Sequence, residues 1–152
     1  MQDVTPGNAH GPHLVAALLC EYVLTEGSGV NSLVRLVDRI NATGHGPAAP
    51  DQMPTVDWRG YLFVAFRSGD ARGPVPIKVT LTKPSGLEDP IPVFESTVHF
   101  EGGTHGNNVT TRLALQLSEA GPYWFNIYVG GRFVTKTNLE VIWTVTRTGL
   151  PR

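Results

Sequence analysis

The sequence is short of cysteine and of charge. Cys20 is the only cysteine among the 152 residues, so an internal disulfide is excluded and a reducing compartment is the simpler expectation. Charged residues make up 16% of the chain, below the roughly 25% that is usual for soluble domains. The formal net charge is -1 and the basic residues form no run. This charge pattern argues against nucleic acid or an anionic membrane as the partner.

The sequence also lacks a long apolar run. The most apolar segment, residues 14–20, is too short to span a bilayer and is followed at once by Glu21. The first residues carry no basic segment of the kind that opens a signal peptide. We therefore expect a cytoplasmic protein that does not enter a membrane.

Catalytic signatures are absent too. The chain has no GxSxG, no P-loop, no GxGxxG before a helix, no HExxH and no paired cysteine ligands. Cys20 lies inside an apolar run, where a thiol is a small buried hydrophobe rather than a nucleophile. We expect no catalytic residue, no cofactor and no enzyme activity.

The histidines leave one metal-binding alternative open. His99 and His105 flank a Gly- and Asn-rich stretch, with Glu101 between them. The two imidazoles and the carboxylate could hold a zinc or nickel ion if this stretch, interpreted as a loop over 101–108, folded back. The simpler interpretation is one strand histidine and one solvated loop histidine, so the primary expectation is that no metal binds.

Residues that form turns are abundant. The 17 glycines and 12 prolines separate β-rich segments that recur about every 8–12 residues, a spacing typical of an all-β sandwich. Residues 92–100, for example, alternate loosely between the two faces of a strand. Residues 1–13 and 148–152 are predicted to be flexible tails on either side of a single domain, 14–147.

The clearest hairpin covers residues 121–136. Two β-rich runs flank Gly130 and Gly131, and glycine reaches the positive φ values that a tight hairpin turn requires. Every second residue from Tyr123 to Val129 is apolar and would line a buried face. The pattern therefore predicts a strand register and a core-facing side together.

The other side of this hairpin is the candidate binding surface. Trp124 and Tyr128 would point outward two positions apart along one face, and Arg132 follows on the partner strand. Exposed tryptophan and tyrosine are enriched where proteins meet their partners. The alternative is that this second face is covered by the 41–57 stretch or by an added strand.

Two segments near the start of the chain have ambiguous patterns. Residues 14–24 are apolar on both parities, which suits a central strand covered on both faces. After a turn at 26–29, apolar residues recur at helical spacing and favour a helix over about 32–40. Residues 41–57 are rich in glycine and proline and are predicted to be the longest loop.

Two stretches together resemble a known family. Leu-Leu-Cys-Glu-Tyr at 18–22, Glu-Gly-Ser-Gly at 26–29 and Leu-Val-Arg-Leu-Val-Asp-Arg-Ile at 33–40 form one stretch, and Gly-Pro-Tyr-Trp-Phe-Asn-Ile-Tyr-Val-Gly-Gly at 121–131 forms the other. Both are similar to a family of small bacterial proteins known only as a domain of unknown function, over about residues 14–145. The resemblance implies a β-sandwich in which residues 30–40 are a strand, and it brings no catalytic residues.

The prediction for the fold is a two-sheet antiparallel β-sandwich, immunoglobulin-like, with about eight or nine strands. The functional expectation is a non-enzymatic interaction or structural module of a bacterial cytoplasmic protein, with a protein partner or a second copy of itself. A sandwich that binds a small ligand or carbohydrate is the first alternative, and a metal-dependent enzyme is the second. The core is expected to include Leu18, Phe63, Phe66, Val79, Leu115, Phe125, Ile127, Val141 and Trp143.

Overall fold

The computed structural model describes residues 11–147, which form seven β-strands and no helix. Residues 1–10 and 148–152, where most of the two predicted tails falls, lie outside the described residues. Within 11–147 there is accordingly no helix long and apolar enough to cross a membrane. The strands are β1 (His13–Thr25), β2 (Asn31–Leu36), β3 (Arg39–His45), β4 (Val56–Thr82), β5 (Phe94–Leu117), β6 (Gly121–Val129) and β7 (Arg132–Thr146).

Two strands are long enough to run through both layers of the fold. β4 has 27 residues and β5 has 24, and they pair antiparallel along most of their length. The register shifts between Arg67 and Arg72, and at the same level β5 has Gly102 and Gly103 at φ 86° and 64°. Bulges and glycines allow a strand to bend. The predicted loop over 101–108 is therefore wrong, because these residues continue β5 through its bend.

The bend divides the hydrogen-bonded strands into two layers. The first layer has the order β2-β1-β4-β5 and uses the N-terminal part of β4. The second has the order β5-β4-β6-β7-β3 and uses the C-terminal part. Because β4 and β5 count once in each layer, seven strands give nine strand segments, and the predicted sandwich is confirmed. One pairing departs from the antiparallel prediction, since β3 runs parallel to β7.

The core lies between the two layers. On β6 every second residue is buried, as the 121–136 pattern predicts. Phe66 of the first layer meets Phe100 of the second edge to face, with ring centroids 5.8 Å apart. Five of the nine predicted core residues are buried in this core, namely Phe66, Val79, Phe125, Ile127 and Val141. Phe63 is buried as well, but on the outward side of β4.

The remaining three predicted core residues differ. Leu115 and Trp143 are half-buried and pack against the core. Leu18 is 36% exposed, so its assignment to the core is wrong. It pairs with Phe63, which alternates with the core residues Leu62 and Val64 and therefore faces away from the second layer.

The helical spacing over 32–40 does not produce a helix. Residues 31–36 are β2, which pairs with β1 across the turn at 26–30, and residues 39–45 are β3, which pairs with β7. The strand interpretation that the family resemblance implied is confirmed over 31–36, because long-range pairing overrides a short local pattern. Residues 30–40 are not one continuous strand, since residues 37 and 38 separate β2 from β3. The predicted loop over 41–57 is shorter than expected, since the connection between β3 and β4 covers only 46–55.

A tyrosine at the start of β6 fixes the entry to the last hairpin. The hydroxyl oxygen of the buried Tyr123 accepts hydrogen bonds from the backbone N–H groups of Ser118 (3.1 Å) and Glu119 (3.0 Å). A tyrosine that bonds back to the backbone a few residues upstream is a hallmark of immunoglobulin-like sandwiches. This contact supports the immunoglobulin-like form of the sandwich.

Candidate interaction surfaces

The outward side of β1 and β2 is apolar. Leu36 pairs with Cys20 and Val34 pairs with Tyr22, and directly paired residues lie on the same face of a sheet. Cys20 also pairs with Tyr61 of β4, on the face opposite to the core. The outward positions of the two strands, none of them charged, are Ala16, Leu18, Cys20, Tyr22, Leu24, Ser32, Val34 and Leu36.

Five of these side chains are large, apolar and exposed, and we name them the β1–β2 patch. Their exposed fractions are 36% for Leu18, 54% for Tyr22, 49% for Leu24, 39% for Val34 and 62% for Leu36. Single exposed apolar residues are ordinary. The largest contiguous apolar patch on a protein, typically a few hundred Å², is often a functional surface. The pattern of residues 14–24 does not reveal this surface, because a strand that is apolar on both parities suits a position covered on both faces.

Cys20 lies beneath the patch. Its exposed fraction is 0% because larger neighbours on the same face cover it, among them Tyr22 and Tyr61, whose rings meet edge to face at 5.9 Å. Burial raises the pKa of the Cys20 thiol, against a smaller lowering by the backbone at Tyr22. The thiol is therefore the small buried hydrophobe that the sequence predicted.

The patch extends onto a hairpin that leaves the first layer. β1 pairs with β4 only as far as Cys20, whereas it pairs with β2 from Cys20 to Thr25. Residues 21–36 thus form a two-stranded arm. An isolated two-stranded ribbon is marginally stable in water, and here Tyr22, Leu24 and Val34 project from it exposed. The arm therefore gains stability from any surface that covers it.

The ion pair of the arm lies on the side opposite to the patch. Arg35 Nε is 3.4 Å from Glu21 Oε2, and both residues alternate with patch residues along their strands. Arg35 has φ 57°, a left-handed value that is uncommon for a residue other than glycine. Between the pairs Cys20–Leu36 and Tyr22–Val34, the backbones of Glu21 and Arg35 are not paired in the β1–β2 ladder. The free edge of β2 is therefore irregular at Arg35.

A second surface contains the predicted aromatic residues. Trp124 and Tyr128 are both half-buried on the outward side of β6. Lys136 Nζ lies 4.2 Å from the centroid of the Trp124 ring, a cation–π contact. The Tyr128 ring meets Phe133 edge to face at 5.8 Å. Each aromatic ring of this face therefore already has a partner on β7.

Polar groups lie between the two aromatic rings. Asn126 Nδ2 donates to Thr80 Oγ1 at 3.2 Å and to Thr82 Oγ1 at 2.9 Å. Lys78 stands opposite Tyr128 in the register and makes no ion pair with another described residue. We call this outward surface, formed by Trp124, Asn126 and Tyr128 of β6 with Lys78 of β4 and Lys136 of β7, the Trp124 face. It has both aromatic and polar groups, whereas the β1–β2 patch is apolar.

Arg132 does not belong to the Trp124 face. It pairs with Val129, whose side chain is in the core, so its position has the opposite parity from Tyr128. The two-residue turn at Gly130 and Gly131 places Phe133, and not Arg132, opposite Tyr128. The three predicted binding residues are therefore divided between the two sides of the hairpin.

The weak metal alternative is not assembled. His105 Nδ1 lies 3.6 Å from Glu101 Oε2, and both side chains are about two-thirds exposed. His99 contributes only its backbone oxygen, which accepts a hydrogen bond from Asn107. Among residues 11–147, no three histidine, cysteine, aspartate or glutamate side chains are placed to hold a metal ion.

A cleft lies between the 46–55 loop and the end of β7. Trp143 Nε1 donates to the backbone oxygen of Asp51 at 3.2 Å, and Arg147 donates to the backbone oxygen of Ala49 at 3.1 Å and to the Asp51 carboxylate. These bonds hold the loop against β7. The cleft has a volume of about 430 Å³ and a mainly apolar lining of Ala42, Ala48, Pro50, Pro54, Val56 and Trp143.

The two-layer strand order and the Tyr123 contact define an immunoglobulin-like β-sandwich. Comparison with protein families gives a match over residues 15–142 to a family of unknown function, DUF6941. The chain belongs to this family, and the resemblance found in its motifs is confirmed. No curated protein matches the chain.

Two solved structures are similar in part. One is an immunoglobulin-like protein from Pseudomonas aeruginosa, with 13% identity over 89% of this chain and 100% of that one, at a TM-score of 0.40. The other is the alkylpurine DNA glycosylase AlkC of Pseudomonas fluorescens bound to DNA containing an abasic site analog, with 9% identity and a TM-score of 0.42. The similar region covers 82% of this chain and 30% of the glycosylase.

Proposed function

We propose that this protein is a non-enzymatic interaction module of the cytoplasm and that the β1–β2 patch is its binding surface. The supporting observation is the contiguous exposure of Leu18, Tyr22, Leu24, Val34 and Leu36 on a projecting arm. Water is a poor environment for such a cluster, because burying apolar surface is favourable. A protein partner that covers the patch stabilises the arm and the complex together.

Leu36 provides the sharpest test of the patch. It is 62% exposed, so burial of its side chain in a complex contributes roughly 1–2 kcal/mol. Leu36→Lys removes this contribution and also places an ammonium group in an apolar contact, which has to be desolvated. We therefore expect partner affinity to fall about tenfold or more, while the fold remains intact.

The chain offers a matched control for this variant. Leu87, between β4 and β5 and away from the patch, is also 62% exposed. The wild type, Leu36→Lys and Leu87→Lys would be used as bait in cell extract, after circular dichroism has shown that all three are folded. The proposal requires a specific protein that the wild type and Leu87→Lys retain and Leu36→Lys loses. Equal recovery by all three variants would remove the patch as the binding surface.

A carbohydrate-binding function is the second candidate, and the Trp124 face is the observation that favours it. An aromatic ring beside hydroxyl and amide groups suits a sugar ring, whose faces are apolar and whose edge is polar. The test is tryptophan fluorescence during titration with a panel of glycans, with Trp124→Phe as the control. A change that Trp124→Phe abolishes would support this candidate. The Lys136 ammonium over the ring opposes it, because a sugar has to displace this contact.

A further inference from the structure

We infer that the partner of the β1–β2 patch is a second copy of this chain, so that two patches pack face to face around a twofold axis. The inference rests on the proposed function, and it adds the identity of the partner. In such an isologous contact each patch has to be complementary to itself. The chemistry of the patch, its size and the form of the β2 edge all bear on this requirement.

The patch is uncharged, which an isologous contact favours. Twofold symmetry brings each region of the patch close to its own equivalent or to nearby residues, so an uncompensated charge near the axis repels its copy. None of the eight outward positions of β1 and β2 is charged. The charges on the strands of the arm, Glu21 and Arg35, pair with each other on the opposite side. The third charge of the arm, Glu26, lies in the turn at its tip and not on the patch. Two copies therefore meet at the patch without electrostatic repulsion.

The charges beside the patch mark its limit. By register, the outward positions of β4 and β5 next to the patch include Arg59 and Arg112, and neither makes an ion pair with another described residue. The Trp124 face likewise has Lys78, which makes no ion pair within residues 11–147. A contact between copies is therefore best placed over β1 and β2, where no such charge lies.

The size of the patch suits a standard dimer contact. The five side chains are on average about half exposed, and together they offer apolar surface on the order of 300–500 Å². A standard interface buries about 800 Å² on each partner, and about 65% of the area is apolar in homodimers. The patch therefore supplies most of the apolar part of one such interface.

The contact is face to face rather than edge to edge. β2 is the last strand of the first layer, and a free edge can in general pair with a strand of another molecule. The left-handed conformation of Arg35, the fifth of the six residues of β2, interrupts this edge near its C-terminal end. An added strand could not pair along the whole of β2, whereas the side chains of Val34 and Leu36 on the face remain available.

The test is the mass of the full chain in solution. Light scattering after size-exclusion chromatography, and sedimentation equilibrium from about 1 to 500 µM, would be applied to the wild type, Leu36→Lys and Leu87→Lys. We expect the wild type and Leu87→Lys to reach twice the chain mass of 16.5 kDa. We expect the dimer dissociation constant of Leu36→Lys to be at least tenfold higher.

Hydrogen exchange locates the contact independently of any variant. At high protein concentration, protection should increase in residues 18–36 and stay constant in residues 124–136. A wild type that is monomeric at every concentration overturns the inference, and so does a dimer that Leu36→Lys leaves unchanged. The proposed function can hold even where the dimer inference fails. If the wild type is monomeric but its bait retains a different protein that Leu36→Lys loses, the patch is a binding surface for that protein and not for a second copy.

Discussion

Removal of a single oxygen atom tests how much the hydrogen bonds to the Tyr123 hydroxyl stabilise the fold. Tyr123→Phe keeps the ring that fills the core and removes only the hydroxyl that accepts from the backbone N–H groups of Ser118 and Glu119. Each lost bond costs about 0.5–1.5 kcal/mol, and a donor left without a partner costs up to about 3 kcal/mol if water cannot reach it. Because Ser118 is exposed and Glu119 is half-buried, water replaces part of the loss. We expect a decrease of about 1–3 kcal/mol in the free energy of unfolding.

The control for this variant lies on the same strand. Tyr128→Phe makes the same chemical change, but the Tyr128 hydroxyl forms no hydrogen bond with another described residue. Its effect should stay within about 0.5 kcal/mol, as for most surface substitutions. Urea denaturation, followed by circular dichroism and by tryptophan fluorescence, would give the free energy of unfolding of both variants and of the wild type. The slope of each transition has to be the same if the variants differ only in stability. If the two variants have equal free energies of unfolding, the Tyr123 hydrogen bonds do not stabilise the fold. A lower free energy of unfolding for Tyr128→Phe alone would also refute this role.

Three further predictions concern stability and local contacts. Gly60→Ala should destabilise the fold by about 1–3 kcal/mol, because a Cβ there would lie 2.5 Å from the Trp58 ring and 2.8 Å from the Cys20 backbone oxygen. Thermal denaturation would measure this loss. The control is Gly27→Ala, since an added Cβ at position 27 has no atom within 4 Å. The raised pKa of Cys20 means that the folded state holds the thiol proton more tightly than the unfolded state does. Its contribution to stability is complete below the ordinary thiol pKa of 9.0 and is lost as the pH rises above it. The wild type should therefore weaken relative to Cys20→Ala as the pH rises above 9.0 in urea titrations, and parallel pH profiles would contradict this. Lys136→Ala should shift tryptophan emission to longer wavelength by exposing Trp124 to water, and an unchanged spectrum would show that the cation–π contact is not formed in solution.

The local sequence was sufficient for the last hairpin. Glycines at positions 130 and 131 adopt positive φ, 58° and 79°, and the alternation from Tyr123 to Val129 separates buried from outward side chains as the pattern predicts. A strand with one apolar and one mixed face has only one register that buries the apolar face. The turn residues and the alternation are both local, so no other part of the chain is needed to specify this element.

Strand β7 shows where local information ended. Arg132 was predicted beside Trp124 and Tyr128, but a two-residue turn pairs it with Val129, on the other side of the hairpin. The bulge between Ile127 and Tyr128 then inserts one residue into β7, and this shift places Lys136 opposite Asn126 on the outward side. A bulge of this kind depends on how β6 and β7 twist against each other and against β4. The sequence pattern of one hairpin does not contain that information.

Local patterns along the chain are sufficient to predict an all-β domain with alternating buried strands, because turn residues and period-two alternation are local properties. Which apolar residues remain in water depends on how the whole chain packs. Residues 14–24 are apolar on both faces, which by pattern suits a strand covered on both sides. In the fold, β1 has the second layer on one side and no described element over the β1–β2 patch on the other. The same side-chain chemistry thus gives core at Leu19, which is 3% exposed, and a candidate interface at Leu18, which is 36% exposed, because burial depends on which elements the rest of the chain brings to each face.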